Sequence, residues 1–274
     1  MSNFNPLQKY FRQPKLFISL PSKGLYYEEG TLQGDTSKVP IFAMTGMDEL
    51  IMKTPDSLFN GEATVKLIES CCPYIVDAHK VPSIDLDVLL VSIRMATYGK
   101  EMSIGHTCTN CGTENDFAID LTSVMDHYAD KQFDNRLIID EEITINFKPL
   151  SYEEMTNINL ENFKLQKMLG QIADIDISRR QQVMDDIYAK LAEIQVHVFL
   201  TAIESVQIPN ALVTEKEHIQ EWLSNTNREH YTLIKTKLEK NKEIWEMPKQ
   251  KVICGNCGTE NAIEVVMDQS SFFV

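Results

Sequence analysis

The 274-residue chain contains no run of about 18 consecutive apolar residues, so nothing in it has the pattern of a membrane-spanning helix. Residues Met1 to Lys15 lack the apolar centre of an export signal, which predicts a protein made and kept in cytoplasm. An excess of positive charge is absent too: 26 Lys and Arg stand against 40 Asp and Glu, a formal charge of −14 with a pI near 4.9. Such a field repels polyphosphate and anionic lipid, so neither nucleic acid nor a membrane surface is an expected partner. Signatures of common active sites are missing as well. The chain has no G-x-x-x-x-G-K-S/T, no G-x-G-x-x-G after a strand, no G-x-S-x-G and no H-E-x-x-H. Acidic runs such as Asp140-Glu141-Glu142 and Asp185-Asp186 read as solvated faces, and no enzymatic activity is expected.

Cysteine is scarce, and its placement is informative. Of six cysteines, Cys71 and Cys72 are neighbours in an apolar stretch and read as small buried hydrophobes. The other four belong to a phrase written twice, Cys108-Thr109-Asn110-Cys111-Gly112-Thr113-Glu114-Asn115 and Cys254-Gly255-Asn256-Cys257-Gly258-Thr259-Glu260-Asn261. A C-x-x-C followed by Gly places two sulfurs on one tight turn, and the Gly accepts the positive φ that closes it. Two such turns make a closed Cys₄ set for one structural Zn²⁺, with Cys108, Cys111, Cys254 and Cys257 as ligands and no position left for substrate. His106 lies close in sequence but is read as a strand side chain. A redox role would need C-x-x-C at a helix start after a strand, whereas alternating β residues follow both pairs.

Around the phrases, Met102 and Ile104 precede the first, and Phe117, Ile119 and Leu121 alternate after it. Val252 and Ala262-Ile263-Glu264-Val265-Val266 repeat the plan. Two β-hairpins with metal-binding tips, a split ribbon, are expected. Upstream, Thr45 and Asp48 form a capping-box pattern for a short helix ending before Pro55. Further helices are expected from about Glu62 to Cys72 and from about Ile84 to Thr97, the latter with its apolar residues largely along one side and Gly99 as its stop. Between the phrases, Leu137, Ile139, Ile143, Ile145 and Phe147 predict a hairpin. Three helices then follow, opened by capping boxes at Ser151/Glu154, Ser178/Gln181 and Thr214/Glu217, the second running to about Val206. The fold class is α+β, mainly helical, with a split Cys₄ zinc ribbon and a helical insertion. The expected divisions are 1–100, an extended lead and small helical domain; 101–121, the first half of the ribbon; 122–247, a hairpin plus helical bundle; and 248–274, the second half of the ribbon with an apolar tail.

The segment Lys9-Tyr10-Phe11-Arg12-Gln13-Pro14-Lys15-Leu16-Phe17 is basic and aromatic beside an acidic body. It reads either as a strand docked on its own domain or as an arm for an acidic or apolar partner surface. The ending Ser270-Ser271-Phe272-Phe273-Val274 reads either as tucked into the core or as a partner-binding plug. Phe11, Phe17, Phe272, Phe273 and Val274 are therefore candidate contact residues.

The order of Leu20-Pro21-Ser22-Lys23-Gly24, then Met44-Thr45-Gly46-Met47-Asp48-Glu49, then Ser92-Ile93-Arg94-Met95-Ala96-Thr97-Tyr98-Gly99 leading into Cys108-x-x-Cys111, resembles the baseplate-hub assembly proteins of T-even-like contractile-tailed bacteriophages. So does the Ser-Phe-Phe ending. The likeness covers roughly residues 16–121 and the last 25 or so. It implies a non-enzymatic virion or assembly role, with other tail hub proteins as partners, oligomer formation left open, and a location in the host cell cytoplasm or the tail baseplate. Two other readings stand beside it. One is a zinc-ribbon nucleic-acid-binding or transcription-associated protein, which the acidic balance disfavours. The other is a thiol oxidoreductase.

Overall fold

The structure is a computed structural model that describes residues 5–53, 61–172, 176–265 and 272–273. Contacts divide the chain into two units, Met1–Lys131 with Met247–Val274, and the continuous segment Gln132–Glu246.

In the first unit, β1 (Leu16–Ile18) pairs antiparallel with β2 (Val39–Ile41), and the helices α1 (Gly46–Met52), α2 (Glu62–Cys71) and α3 (Ser83–Tyr98) follow. The Thr45/Asp48 capping box forms as the residues predict, with Thr45 Oγ1 accepting from the Asp48 amide at 3.2 Å and Asp48 Oδ2 accepting from the Thr45 amide at 2.7 Å. Gly99 ends α3 at φ 94°, where a side chain would be strained. That helix is not one-sided. From Ile84 to Arg94 every position but Asp87 is buried, because the β1–β2 ribbon, α2 and a later helix, α4 (Thr122–Ala129), cover it from different sides. Such a helix reads hydrophobic all round rather than amphipathic. Cys71 and Cys72 are buried as small hydrophobes, and burial lifts the Cys71 thiol to about 11.

One carboxylate lies inside this packing. Asp85 is fully buried on α3 and accepts from the Ser22 amide at 2.7 Å, the Ser22 hydroxyl at 2.5 Å and the Tyr27 hydroxyl at 3.0 Å. It ties down the segment in which Lys23 and Tyr26 hold φ of 57° and 70°, the two non-glycine residues in the left-handed region among those described. The Ser22 and Tyr27 bonds favour the carboxylate, but burial outweighs them and pushes Asp85 up to about 6.

The rest of the first unit is built from two hairpins, β3 (Glu101–Thr107) with β4 (Glu114–Asp120), and β9 (Gln250–Ile253) with β10 (Glu260–Ile263). Tyr128 of α4 donates to Asp87 of α3 at 2.9 Å, fixing α4 on the helical core.

The second unit departs from a hairpin plus helical bundle. Strands β5 (Arg136–Ile138) and β6 (Thr144–Phe147) form the expected hairpin, but β7 (Ile203–Ile208) and β8 (Ala211–Val213) extend it to a four-stranded antiparallel sheet in the order β5-β6-β7-β8. Helix α5 (Tyr152–Gly170) opens with the Ser151/Glu154 box as expected. Helix α6 (Ile177–Ala202) begins beyond Asp176 with Ser178 inside it, and stops four residues short of Val206 because Ile203 enters the sheet opposite Phe147. Lys216 closes that junction, donating to the carbonyls of Leu200 at 2.8 Å and Ile203 at 2.5 Å. The last expected helix is two: α7 (Lys216–Asn225), with no side-chain cap from Thr214, and α8 (Arg228–Trp245), capped by Asn227 at 2.8 Å. The core lies on the sheet, where Ile145, Phe147, Ile203 and Val206 meet Phe199, Ile219, Leu223 and Ile234.

Because the folded Asp85 holds a proton more tightly than the ordinary carboxyl near 4, its contribution to stability grows as pH falls from about 6 toward 4 and is lost as pH rises through about 6. Urea midpoints of wild type and Asp85→Asn should therefore converge at pH 7 relative to pH 4.5, or cross there. A difference between them independent of pH contradicts the shift.

Candidate metal centre

Each doubled phrase folds into the same turn. Gly112 N donates to Cys108 O at 3.0 Å and Cys108 N to Thr113 O at 2.9 Å; Gly258 N and Cys254 N repeat both bonds at 3.0 and 2.9 Å. Gly112 and Gly258 sit at φ 71° and 70°, the positive values the turn requires. In each turn the first cysteine is buried, Cys108 at 3% exposure and Cys254 at 2%, and the second is exposed.

The two turns face each other. Sγ of Cys108 lies 3.7 Å from Sγ of Cys257, Sγ of Cys111 lies 3.7 Å from Sγ of Cys254, and all four sulfurs fall within 4.8 Å of one another. A tetrahedral ion with metal–sulfur bonds of about 2.3 Å requires sulfurs about 3.8 Å apart, so the set has the size of a divalent thiolate centre. The spacing is far beyond the ~2.05 Å of a disulfide.

Side-chain amides are donated from each phrase to the other. Asn110 Nδ2 reaches Cys257 Sγ and Asn256 Nδ2 reaches Cys111 Sγ, both at 3.7 Å. Asn115 Nδ2 lies 3.5 Å from Cys254 Sγ and Asn261 Nδ2 lies 3.5 Å from Cys108 Sγ. The asparagine oxygens accept in the same crossed fashion, Asn261 Oδ1 from Thr109 N at 3.1 Å and Asn115 Oδ1 from Gly255 N at 3.2 Å. Asn110 and Asn256 also donate to Thr259 and Thr113 Oγ1, each at 3.1 Å. Every sulfur thus has an amide from the opposite phrase, and the arrangement repeats under an approximate two-fold operation.

The two exposed cysteines are set up to ionise, whereas Cys254, despite the amides of Cys257 and Asn256, is raised by burial and by the sulfurs of Cys108 and Cys111. Thr259, through its hydroxyl and its backbone amide, holds the Cys257 thiol down to about 6, and Thr113 lowers Cys111 in the same way. Four thiolates around a divalent ion leave a net charge of −2, which neutral N–H donors spread without adding a cation. The donor set is all sulfur with no open position, which suits a structural ion and offers no place for an activated water. His106 is a β3 residue and not one of the four converging ligands.

Of the candidate contact residues, Phe11 and Phe17 are 56% and 63% exposed. Phe272 and Phe273 are buried, so the described part of the ending is tucked in rather than displayed. Tyr98 donates to Phe273 O at 2.9 Å, and the Arg94 guanidinium lies over the Phe272 ring at 5.7 Å. Val274 lies outside the described residues. The crossed amides are what a reading of the sequence missed; their trace was the Asn at positions three and eight of both phrases.

Among known proteins, the model of the family described as T4 bacteriophage base plate protein matches residues 26–274. No curated protein and no solved structure matches the chain.

The purified chain should carry close to one zinc, and Cys111→Ser with Cys257→Ser should lose it and melt lower. Asn115→Ala with Asn261→Ala should keep all four ligands yet weaken metal binding about 10- to 100-fold and shift the sulfur-to-cobalt band of the Co²⁺ form. Unchanged affinity and spectrum in that double variant would show that the amides do not act on the thiolates.

Proposed function

Because the chain belongs to the T4 bacteriophage base plate protein family, we propose that it is a non-enzymatic component or assembly factor of the central hub of a phage tail baseplate, held in shape by one structural zinc in a split ribbon. The observation that carries the zinc is the convergence of four sulfurs from two hairpins 142 residues apart (254 − 111 − 1). A closed tetrathiolate does structural work. Apparent stabilisation by such sites is on the order of 10 kcal/mol, whereas closing a long loop costs an entropy that grows only logarithmically with length. The ion therefore has ample free energy to hold distant hairpins together.

The family supports interaction with other tail proteins, and the exposed aromatics Phe11 and Phe17 are the contact residues that this reading assigns. Phe272 and Phe273 instead anchor the chain's own ending under Tyr98. No helix among the described residues is long and apolar enough to cross a membrane.

Affinity-tagged chain recovered from phage-infected cells, with its partners identified by mass spectrometry, should bring down baseplate hub proteins. Recovery of RNA polymerase, or of no phage protein, overturns the assignment.

A further inference from the structure

We propose that the cationic, aromatic lead of one copy docks on the exposed acidic face of the β3–β4 hairpin of a second copy, so that the chain associates with itself head to tail. The inference rests on reading Phe11 and Phe17 as contact residues and is independent of the metal and of the baseplate role.

Charge is partitioned along the chain. The first 27 residues contain Lys9, Arg12, Lys15 and Lys23 and none of the 40 acidic residues, a net +4 that leaves −18 on the remainder. The same segment displays large apolar side chains: Leu7 is 62% exposed, Tyr10 74%, Phe11 56% and Phe17 63%. It is nonetheless held in place. Arg12 donates to Ala43 O at 2.6 Å, to Ser70 O at 2.5 Å and to Ser70 Oγ at 2.8 Å, pairs with Asp48 at 3.4 Å, and stacks over the Phe42 ring. Lys9 lies over the Tyr10 ring at 4.8 Å. With Arg12 taken up by its own unit, Lys9, Tyr10, Phe11 and Lys15 face outward on an ordered strip, so docking costs little additional ordering.

The complementary surface lies on the same unit. In the β3–β4 register Glu101 stands opposite Asp120, Ser103 opposite Ala118, Gly105 opposite Asp116 and Thr107 opposite Glu114, and all eight residues are exposed. Four carboxylates thus flank a strip of Ser, Ala, Gly and Thr, where small side chains leave room for bulky ones. A concavity of about 490 Å³ lined by Gly105, His106, Thr107, Glu114, Asn115 and Asp116 lies at the cysteine-turn end of the hairpin. Lys100 approaches Asp120 at 3.8 Å, but no cation pairs with Glu101, Glu114 or Asp116 among the described residues. An aromatic ring flanked by lysines fits this face in size and sign.

Donor and acceptor are different surfaces, so the contact is heterologous. It leaves a free lead at one end and a free hairpin at the other, and it closes only as a ring.

Two variants test it. Lys9→Ser with Lys15→Ser disables the lead, and Glu114→Gln with Asp116→Asn disables the face. Wild type should associate with rising concentration in light scattering, about 10-fold or more weaker when NaCl rises from about 50 to 500 mM. Each variant alone should be monomeric with wild-type zinc content and melting, and an equimolar mixture should give a 1:1 dimer that grows no further. Tyr10→Ser with Phe11→Ser, which keeps the charges, should also weaken association and covers misfolding of the charge variants. A monomeric wild type, salt-insensitive association, or no dimer in the mixture overturns the proposal. Any of these leaves recovery of hub proteins from infected cells untouched.

Discussion

Four sulfurs lie within 4.8 Å of one another, and as thiolates they would repel strongly, so a metal-bound form joins the two hairpins only if that repulsion is answered. The answer comes in two layers. In the proposed ribbon a divalent ion supplies most of the countercharge, and the crossed asparagine amides supply the remainder while setting which turn meets which. Each turn closes with its own backbone bonds, but each also supplies side-chain amides to the sulfurs of the other. The identical residues at equivalent positions follow from that reciprocity: a two-fold exchange works best when both partners carry the same groups.

The helical part of the first unit has its own packing. Helix α4 continues from β4 and is fixed by Tyr128 to Asp87, and α3, surrounded on all sides, carries the fully buried carboxylate of Asp85. Asp85 costs desolvation and returns shape, since its three bonds hold Ser22 and Tyr27 on either side of a segment with two left-handed non-glycine residues. The second unit solves a different problem. Its sheet takes up the apolar end of α6 directly, with Lys216 occupying carbonyls that a helix end otherwise leaves to water.

The turns with cysteine and glycine were legible because their chemistry is local: C-x-x-C-G needs only its own residues to fold. The capping boxes at Thr45 and Ser151 were legible for the same reason. Ser178 lies inside α6, which starts at Ile177, and Thr214 lies ahead of the Glu215 that precedes α7, so neither stands at the start that its sequence pattern predicts. Strand β7 was hidden because Val198, Phe199, Ile203 and Val206 continue a helical spacing, and only pairing with Ile145 and Phe147 distinguishes a strand there. The Pro209-Asn210 pair between two β-rich runs was the overlooked sign of a tight hairpin. The split of the last helix at Asn225-Thr226-Asn227 was similarly written in polar residues that compete for backbone bonds.

The separation of the two phrases also orders events in time. During synthesis the first hairpin emerges with two sulfurs that lack their partners from the second, and it waits while all of Gln132–Glu246 is made. Only when Cys257 and Asn261 have left the ribosome can the tetrathiolate assemble. Under the proposed zinc site, metal loading would report that translation has passed the second hairpin, and a chain terminated before Cys254, however well its helices form, would be marked by unliganded cysteines.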